Sequence, residues 1–335
     1  MLTRNFILIL LGNIILGSAM PMLIILGGLA GAWLAPQSWL ATAPPSAQMI
    51  SGILVAAPIS LFMGRFGRRV GFLLGAAMLC VGGLLGALAL VVQSFPLLCV
   101  AHVILGGALI CVNYFRFAAS DAVSLDFRPQ AISLTLASGL IAALIGPELF
   151  SLSKDALSPT PMAGAYGAMA ALGLIGSLPV LGLSMGAHSA TRPSRKTMPL
   201  REVLSANPRI TAAIGIAALS QAMMVFLMVP TPLAMIGCGF ADDQAADVIR
   251  WHVVAMFAPG FFTGSLIKRF GAGRIAAMGI ALLVFSALVA WSGLTILNFT
   301  ARSCYLGLAG TSASSAEHTC SRPPSAMKTV RDFKA

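Results

Sequence analysis

Long apolar segments joined by short polar turns make up most of the chain. Nine of them have the ~20 residues that a helix needs to cross a bilayer, or nearly so. They lie near residues 5–28, 47–64, 70–92, 96–117, 131–150, 161–185, 210–236, 248–267 and 273–292. Each is continuously apolar, whereas a strand of a membrane barrel would alternate. The pattern predicts an all-α integral membrane protein with about nine spans, and with part of a tenth that begins near Leu294.

The composition supports a membrane protein and excludes several other classes. The 335 residues are 58% hydrophobic and 9% charged, whereas an average soluble domain has about 25% charged residues. So few charges cannot cover the surface of a soluble enzyme, and we expect the lipid bilayer to surround most of the chain. The net charge of +11 does not predict nucleic-acid binding, because the basic residues lie in short clusters between apolar segments. The sequence has no metal-ligand cluster, nucleotide loop or nucleophile constellation, so we predict no metal and no cofactor.

The distribution of Lys and Arg among the turns predicts the orientation in the membrane. If the nine spans alternate in direction, fourteen basic residues lie on the side of the N-terminus and two on the other side. Basic turns are retained in the cytoplasm. We therefore expect a cytoplasmic N-terminus.

The longest polar connection, residues 186–209, divides the apolar part of the chain into two unequal parts. Residues 1–185 are predicted to form a six-helix bundle, and residues 210–299 a partial second bundle. Arg65-Phe66-Gly67 follows the second span, and Arg269-Phe270-Gly271 follows the eighth, 204 residues later. The same tripeptide at the same topological place indicates a parallel duplication of a six-helix unit.

The last residues, 300–335, depart from the apolar pattern. This tail is rich in Ser and contains Pro323-Pro324 and five basic residues. An architecture of six plus six spans would need three more apolar segments, and the tenth stops after a handful of residues. Our hypothesis is that the tail is translated out of frame; the alternative is an ordinary Ser-rich soluble tail.

The turn after the second span carries a family resemblance. Its sequence, Met63-Gly64-Arg65-Phe66-Gly67-Arg68-Arg69, resembles the loop between helices 2 and 3 of major facilitator superfamily transporters. Arg65, Gly67, Arg68 and Arg69 match the pattern of this gating loop, and Gly64 stands where the family has an Asp that helps to latch the cytoplasmic gate. The resemblance implies two six-helix halves, here with the second truncated. It also implies a monomeric secondary transporter with a small-molecule substrate.

Two further stretches resemble a narrower group, the bacterial riboflavin transporters. They are residues 114–121 (YFRFAASD) and 251–259 (WHVVAMFAP). This resemblance implies uptake of riboflavin or a similar small metabolite across the bacterial inner membrane. Two alternatives stay open, a proton-coupled efflux carrier for drugs or metabolites and a truncated remnant that transports nothing.

Polar residues inside the predicted spans are the candidates for binding the substrate. The amide of Asn13, in the first span, could bind a polar edge of the cargo or join two helices by a hydrogen bond. Asn113 and Arg116 are three residues apart near the cytoplasmic end of the fourth span and so share a helix face. Arg116 could bind an anionic group, pair with Asp121 or act as a cytoplasmic anchor. Gln221, in the middle of the seventh span, would face the site if the second half mirrors the first.

Ionisable residues inside the spans are the candidates for proton coupling, since such groups are costly in hydrocarbon. Glu148 follows Pro147 in the fifth span, and its carboxyl group could bind and release a proton or simply be wetted from outside. His102 and His252 lie in the outer parts of the fourth and eighth spans. Each could relay a proton or serve as a hydrogen-bonded interfacial histidine.

Overall fold

The computed structural model describes residues 3–124, 127–184, 208–258, 266 and 269–320, and every regular element in these ranges is helical. A short 3-10 helix covers Ser38–Leu40. The α-helices are α1 (Arg4–Gly17), α2 (Ala19–Leu34), α3 (Ala43–Phe66), α4 (Arg68–Val91), α5 (Phe95–Asn113), α6 (Phe115–Asp121), α7 (Arg128–Ser153), α8 (Ala163–Leu181), α9 (Pro208–Met228), α10 (Thr231–Gly237), α11 (Asp242–Phe257), α12 (Ala272–Ser292) and α13 (Ile296–Cys320).

Eight helical stretches in the described residues are long and apolar enough to cross a membrane. They confirm the predicted all-α membrane protein and correspond to the first seven predicted spans and the ninth. The predicted eighth span, 248–267, begins within α11, but most of its part beyond α11 lies outside the described residues. The predicted central loop, 186–209, also lies outside them except for its last two residues.

Two of the spans are broken in the middle by proline. The first consists of α1 and α2, which meet at Ser18. Pro21 has no N–H to donate to the carbonyl one turn earlier, so the helical hydrogen-bond ladder is interrupted there. The seventh span changes from α9 to α10 around Pro230. The helices that follow these breaks, α2 and α10, pack against each other.

The helices of the first half pack closely because glycines remove side chains from the contacts. Between α4 and α8, a Cβ at Gly83 would lie 2.6 Å from the backbone nitrogen of Ala170. On the other helix, a Cβ at Gly173 would lie 2.7 Å from the backbone oxygen of Ala76. Small residues let membrane helices approach to this distance. The first half is thus a closely interlocked bundle.

The repeated Arg-Phe-Gly tripeptide adopts the same geometry in both places. Gly67 has φ 88° and ψ 159°, and Gly271 has φ 85° and ψ 150°. Each glycine precedes a helix, and the positive φ is a conformation that glycine adopts without strain. The guanidinium of Arg65 lies 5.4 Å from the Phe66 ring centroid, and that of Arg269 lies 5.4 Å from the Phe270 ring centroid. The match is what a duplicated unit predicts.

The helix α13 continues beyond the apolar start of the predicted tenth span. It is not among the helices of the described residues that are apolar enough to cross a membrane, as expected for only part of a tenth span. It runs from Ile296 to Cys320 and crosses residue 300 without a break. Phe299, Leu306 and Ala309 on this helix are buried against the second half. The polar residues in it lower its hydropathy, which conceals the helix from a pattern of apolar runs. Residues 321–335 of the predicted tail lie outside the described part, and the out-of-frame hypothesis stays a prediction.

The two ends of the helical bundle carry different contacts. At one end, the backbone nitrogen of Ser184 donates to Asn5 Oδ1 at 3.1 Å, and Arg68 pairs with Asp121. We name it the Arg4 end. At the opposite end, Lys154 pairs with Asp243, and we name it the Asp243 end.

Candidate functional site

A cavity of about 480 Å³ lies between the two halves of the protein. This volume falls in the range of about 300–1,000 Å³ that is usual for small-molecule sites. Residues of α1, α2, α3, α5, α6 and α7 form its wall in the first half, and residues of α9 and α11 form the wall in the second. The lining is mostly apolar, and its polar side chains are Asn13, Gln48, Asn113, Arg116, Thr135 and Gln221. Four of the six predicted substrate or coupling candidates are therefore brought together here.

The amide of Asn13 is held in a fixed orientation on the α7 side of the cavity. Its Nδ2 donates to Ser138 Oγ at 2.8 Å and to the Thr135 carbonyl at 3.4 Å. Both donor hydrogens are thereby used, and the amide oxygen is the atom left to accept a hydrogen bond from a ligand. Asn13 can therefore make both predicted contacts, with its nitrogen bonded to α7 and its oxygen available to a ligand.

Asn113 and Arg116 contribute polar groups from the junction of α5 and α6. The helix breaks at Tyr114 between them, and both side chains line the cavity. The Arg116 guanidinium also lies 5.2 Å from the Phe117 ring centroid. Asp121, one of the predicted partners of Arg116, forms its ion pair with Arg68 instead, at 2.7 Å. The helix break moves Asp121 toward α4, which sequence spacing alone does not show.

The second half supplies Gln221, Val253 and Phe257 to the cavity wall. Phe257 approaches α7 closely, since a Cβ at Gly139 would lie 2.8 Å from its ring. Gly139 therefore lets an aromatic ring of the second half rest against the first half beside the cavity. The cavity thus combines an aromatic face with amide and guanidinium groups.

Glu148 and His252 do not belong to the cavity lining. The Glu148 carboxylate lies 2.9 Å from the Arg250 guanidinium, which also pairs with Asp247 at 2.8 Å. His252 is buried, and its Nδ1 donates to the carbonyl of Ser303 on α13 at 2.8 Å. The two residues are occupied by contacts between helices rather than turned toward the cavity.

Ion pairs between the halves cluster at the Asp243 end. Lys154, which directly follows α7, lies 2.9 Å from Asp243 at the start of α11, and the Glu148–Arg250 pair joins α7 and α11. Hydrogen bonds from Lys154 and from Ser151 lower the pKa of the Asp243 carboxyl group below its ordinary value. Helix α2 also packs against α10 and α11. These contacts hold the halves together at this end.

The predicted gating loop lies at the Arg4 end, in the turn between α3 and α4. Gly67 forms the turn, and Arg65 and Arg69 are exposed. Arg68 reaches Asp121 at the end of α6, so its ion pair stays within the first half. Gly64, which replaces the family's Asp, has open space around its Cβ position.

Sequence reasoning missed Gln48, the most buried polar side chain of the cavity wall, which is 4% exposed. The predicted second span begins at residue 47, so Gln48 looked like a boundary residue. The helix α3 begins earlier, at Ala43, and Gln48 lies more than a turn inside it. Pro44 and Pro45, which suit the first turn of a helix, are the signal that could have placed the start correctly. Among the described residues, no group of three or more His, Cys, Asp and Glu side chains could hold a metal ion.

Comparison with known proteins identifies relatives of known class. No protein-family model matches the chain. The riboflavin transporter RfnT of Brucella anthropi is 36% identical over 308 residues, which cover 91% of this chain and 77% of RfnT. The uncharacterized MFS-type transporter YddS of Bacillus subtilis is 27% identical over 261 residues, which cover 73% of this chain and 60% of YddS.

Solved structures of transporters share the fold. The xylose transporter XylE from E. coli has a TM-score of 0.64 at 11% identity, covering 96% of this chain and 85% of XylE. The nucleoside transporter NupG has a TM-score of 0.61 at 14% identity, covering 93% of this chain and 80% of NupG. These relatives are transporters, which confirms the prediction of a carrier rather than an enzyme. The chain belongs to the major facilitator superfamily, in the same family as the riboflavin transporter RfnT.

Proposed function

We propose that the chain takes up riboflavin, or a closely similar metabolite, across the bacterial inner membrane. The observation that carries this proposal is the 36% identity with the riboflavin transporter RfnT over 91% of the chain. The cavity between the halves is the binding site in this proposal. Transport follows when the halves rock and expose the cavity to one side at a time.

The chemistry of the cavity suits a flat heterocycle with a polyhydroxyl chain. Apolar and aromatic side chains, among them Met20 and Phe257, can pack against the faces of a ring. Asn13, Asn113 and Gln221 offer amide groups to carbonyls and hydroxyls, and Arg116 offers a cationic donor. We assign the binding of the polar groups of the cargo to these four residues.

The orientation follows from the basic turns. Along the sequence, fourteen of the Lys and Arg residues between the spans fall on the side of the N-terminus, so we place the Arg4 end in the cytoplasm. The described contacts between the halves involve α2, α7, α10 and α11 and lie toward the Asp243 end. In this proposal the halves are closed at the outer end, and the cargo exchanges with the cytoplasm.

Protons are the coupling ion in this proposal, and Glu148 carries them. Its carboxylate pairs with Arg250 across the boundary between the halves. A proton on Glu148 would neutralise this partner and leave Arg250 to Asp247 of its own helix. Protonation from outside would thereby loosen the closure at the Asp243 end. Replacing Glu148 by Gln should abolish the dependence of net uptake on the proton gradient and leave exchange of cargo intact.

Uptake of radiolabelled riboflavin tests the cargo. Cells that neither make nor import riboflavin should accumulate it in a saturable manner when they express this chain. Gln221→Leu should raise the KM, while Gly215→Ala on the same helix, where a Cβ meets nothing within 4 Å, should not. Absence of uptake by a well-expressed chain would contradict the proposal.

The same cells separate the alternatives. An efflux carrier would speed the loss of preloaded cargo and change drug resistance without supporting growth on low riboflavin. A remnant without transport activity would change neither. The proposed importer alone supports growth at low external riboflavin.

A further inference from the structure

Three polar side chains from three helices form a buried hydrogen-bonded chain that ends at the cavity. His102 on α5 is fully buried, and its Nδ1 lies 3.0 Å from Gln48 Oε1 on α3. Its Nε2 lies 2.7 Å from the Tyr166 hydroxyl on α8. Tyr166 is fully buried too, and Gln48 lines the cavity. Only one of the three, Gln48, can therefore reach the cargo.

The atoms involved fix the direction of the hydrogen bonds. An amide oxygen only accepts, so His102 Nδ1 carries the proton and donates to Gln48 Oε1. The other ring nitrogen of a neutral imidazole then accepts, and the Tyr166 hydroxyl donates to it. The oxygen of the Gln48 amide is thus occupied, and its Nε2 group is left to donate into the cavity.

Glycines on the neighbouring helices leave space for these hydrogen-bonded side chains. A Cβ at Gly27 would lie 3.3 Å from His102 Cε1, and a Cβ at Gly86 would collide with the Tyr166 ring. A Cβ at Gly106 would collide with the backbone oxygen of Gln48. Glycines on α2, α4 and α5 therefore let the three residues approach one another. A glutamine side chain is long and flexible. Because its amide is already held in place, Gln48 loses less conformational entropy when the ligand binds.

We propose that His102 and Tyr166 are positioning residues that hold Gln48 as a hydrogen-bond donor to a carbonyl oxygen on the ring of the cargo. This inference rests on the proposed function. It names the group that the site recognises: the ring system of riboflavin carries carbonyl oxygens, whereas the ribityl chain carries hydroxyls. Ribityl hydroxyl oxygens can also accept a hydrogen bond, so the assignment of Gln48 to the ring is tested with a competitor that lacks the ribityl chain.

Isosteric variants of Gln48 and His102 test the proposal in cells that take up radiolabelled riboflavin. Gln48→Glu keeps an oxygen for His102 and removes the amide donor, so the KM should rise at least tenfold while the maximal rate per surface molecule stays within twofold. Gln93→Glu, in an exposed turn, is the matched control and should leave the KM unchanged. Lumichrome, which keeps the ring system and lacks the ribityl chain, should lose its potency as a competitor by the same factor in Gln48→Glu.

Two substitutions of His102 distinguish positioning from general support of the fold. Asn places its amide nitrogen near the former Nδ1 and can still donate to Gln48, whereas Gln reaches toward Tyr166 and cannot. His102→Gln should therefore raise the KM as much as Gln48→Glu does, whereas the KM of His102→Asn should stay close to that of the wild type. The two purified His102 variants should have similar thermal midpoints. If the wild type takes up riboflavin and these variants keep its KM, or if both His102 variants fail alike, the inference is wrong and the proposed function stands. If the wild type neither binds nor takes up riboflavin, both are wrong.

Discussion

Helices α4 and α8 of the first half are more deeply buried than the α9–α10 span and α12 of the second half. In the most apolar 18-residue windows of α4 and α8, in the first half, 44% and 50% of the residues are buried. In those of the α9–α10 span and of α12, in the second half, the fraction is 24%. Glycines show the same contrast for these helices, because a Cβ at Gly83 would lie 2.6 Å from the backbone nitrogen of Ala170 in α8, whereas Cβ atoms at Gly215 in α9 and Gly273 in α12 would meet nothing within 4 Å. Helix α13 of the second half is packed as closely as α4 and α8, since a Cβ at Gly307 would lie 2.5 Å from the carbonyl oxygen of His252.

The contact between the halves differs in kind from the contacts inside the first half. Interlocked backbones resist sliding, so the first half can move as a rigid body. At the Asp243 end, the halves are joined by the ion pairs Lys154–Asp243 and Glu148–Arg250. Partly exposed ion pairs contribute little each and separate at low cost. A rigid bundle that meets its partner through separable pairs is suited to alternating access by rigid-body rotation.

Gly83→Ala should have the largest effect on stability, because Gly83 lies in the close contact between α4 and α8. The new Cβ would lie 2.6–2.7 Å from backbone atoms of Ala170 and Tyr166, which cannot yield as a flexible side chain would. Overpacking of this kind costs about 1–3 kcal/mol. The thermal midpoint and the monodisperse yield of the purified protein should both fall. Gly215→Ala is the matched change on α9, where the new Cβ meets nothing within 4 Å, and it should leave both quantities unchanged or slightly higher. Equal losses in the two variants would show that α4 and α9 do not differ in packing.

Charge reversal at Lys154, where the halves meet, should have a smaller effect than Gly83→Ala. It should change the rate of transport and not the folding of the protein. Lys154→Glu places an acidic group beside Asp243, which should open the Asp243 end and lower the rate of riboflavin uptake about fivefold, the equivalent of about 1 kcal/mol. Adding Asp243→Lys restores the pair with its polarity exchanged and should recover most of the rate. The control is Asp155→Lys, at an exposed acidic residue next to Lys154. Failure of the double variant to recover would show that the pair does not join the halves.

Lowering the pH should have the smallest effect, a partial opening of the Asp243 end through the Lys154–Asp243 pair. Hydrogen bonds from Lys154 and Ser151 lower the pKa of Asp243 below its ordinary value of 3.8 in the closed form. The pair therefore stabilises the closed form above that pH, and this stabilisation is lost as the pH falls from 3.8 toward the lowered value. Spin labels at Leu157 and Gly237, in a Cys238→Ser background, should move apart over this range.

The control for the acid effect is Asp243→Asn, which removes the titrating group. Because Glu148 also pairs with Arg250 across this boundary, the wild-type residue and Asp243→Asn are compared in a Glu148→Gln background. With Asp243→Asn in that background, the distance between the labels should not depend on pH in the same window. A distance in the wild type that is also independent of pH would contradict the role of the pair.

The spans could be predicted from the sequence because continuous apolar runs depend only on local composition. The full length of helix α13 could not, because some of its polar groups are paired with distant helices, although the buried Ser303 hydroxyl has no hydrogen-bond partner among the described residues. Arg302 donates to Thr231 Oγ1 at 2.8 Å, and the Ser303 carbonyl accepts from His252. A window of hydropathy counts these residues against a span, while the folded protein pairs them.

The same limit applies to the candidate site. Asn13 and Gln221 could be predicted as polar residues inside apolar runs, and they line the cavity. Glu148 gave the same signal, but its partner Arg250 lies 102 residues away in the chain. Which way a polar side chain points depends on the rotation of its helix against neighbours, and a single sequence with short-range periodicity does not specify that rotation.

Protection of a cysteine at position 221 tests the account most directly, because it examines the cavity, its orientation and its cargo together. Gln221→Cys in a Cys238→Ser background would be treated with a membrane-impermeant thiol reagent in right-side-out and inverted vesicles. We expect labelling chiefly from the cytoplasmic face, and we expect riboflavin to slow it in a saturable manner. Labelling chiefly from the outer face, or labelling that riboflavin does not slow, would contradict it.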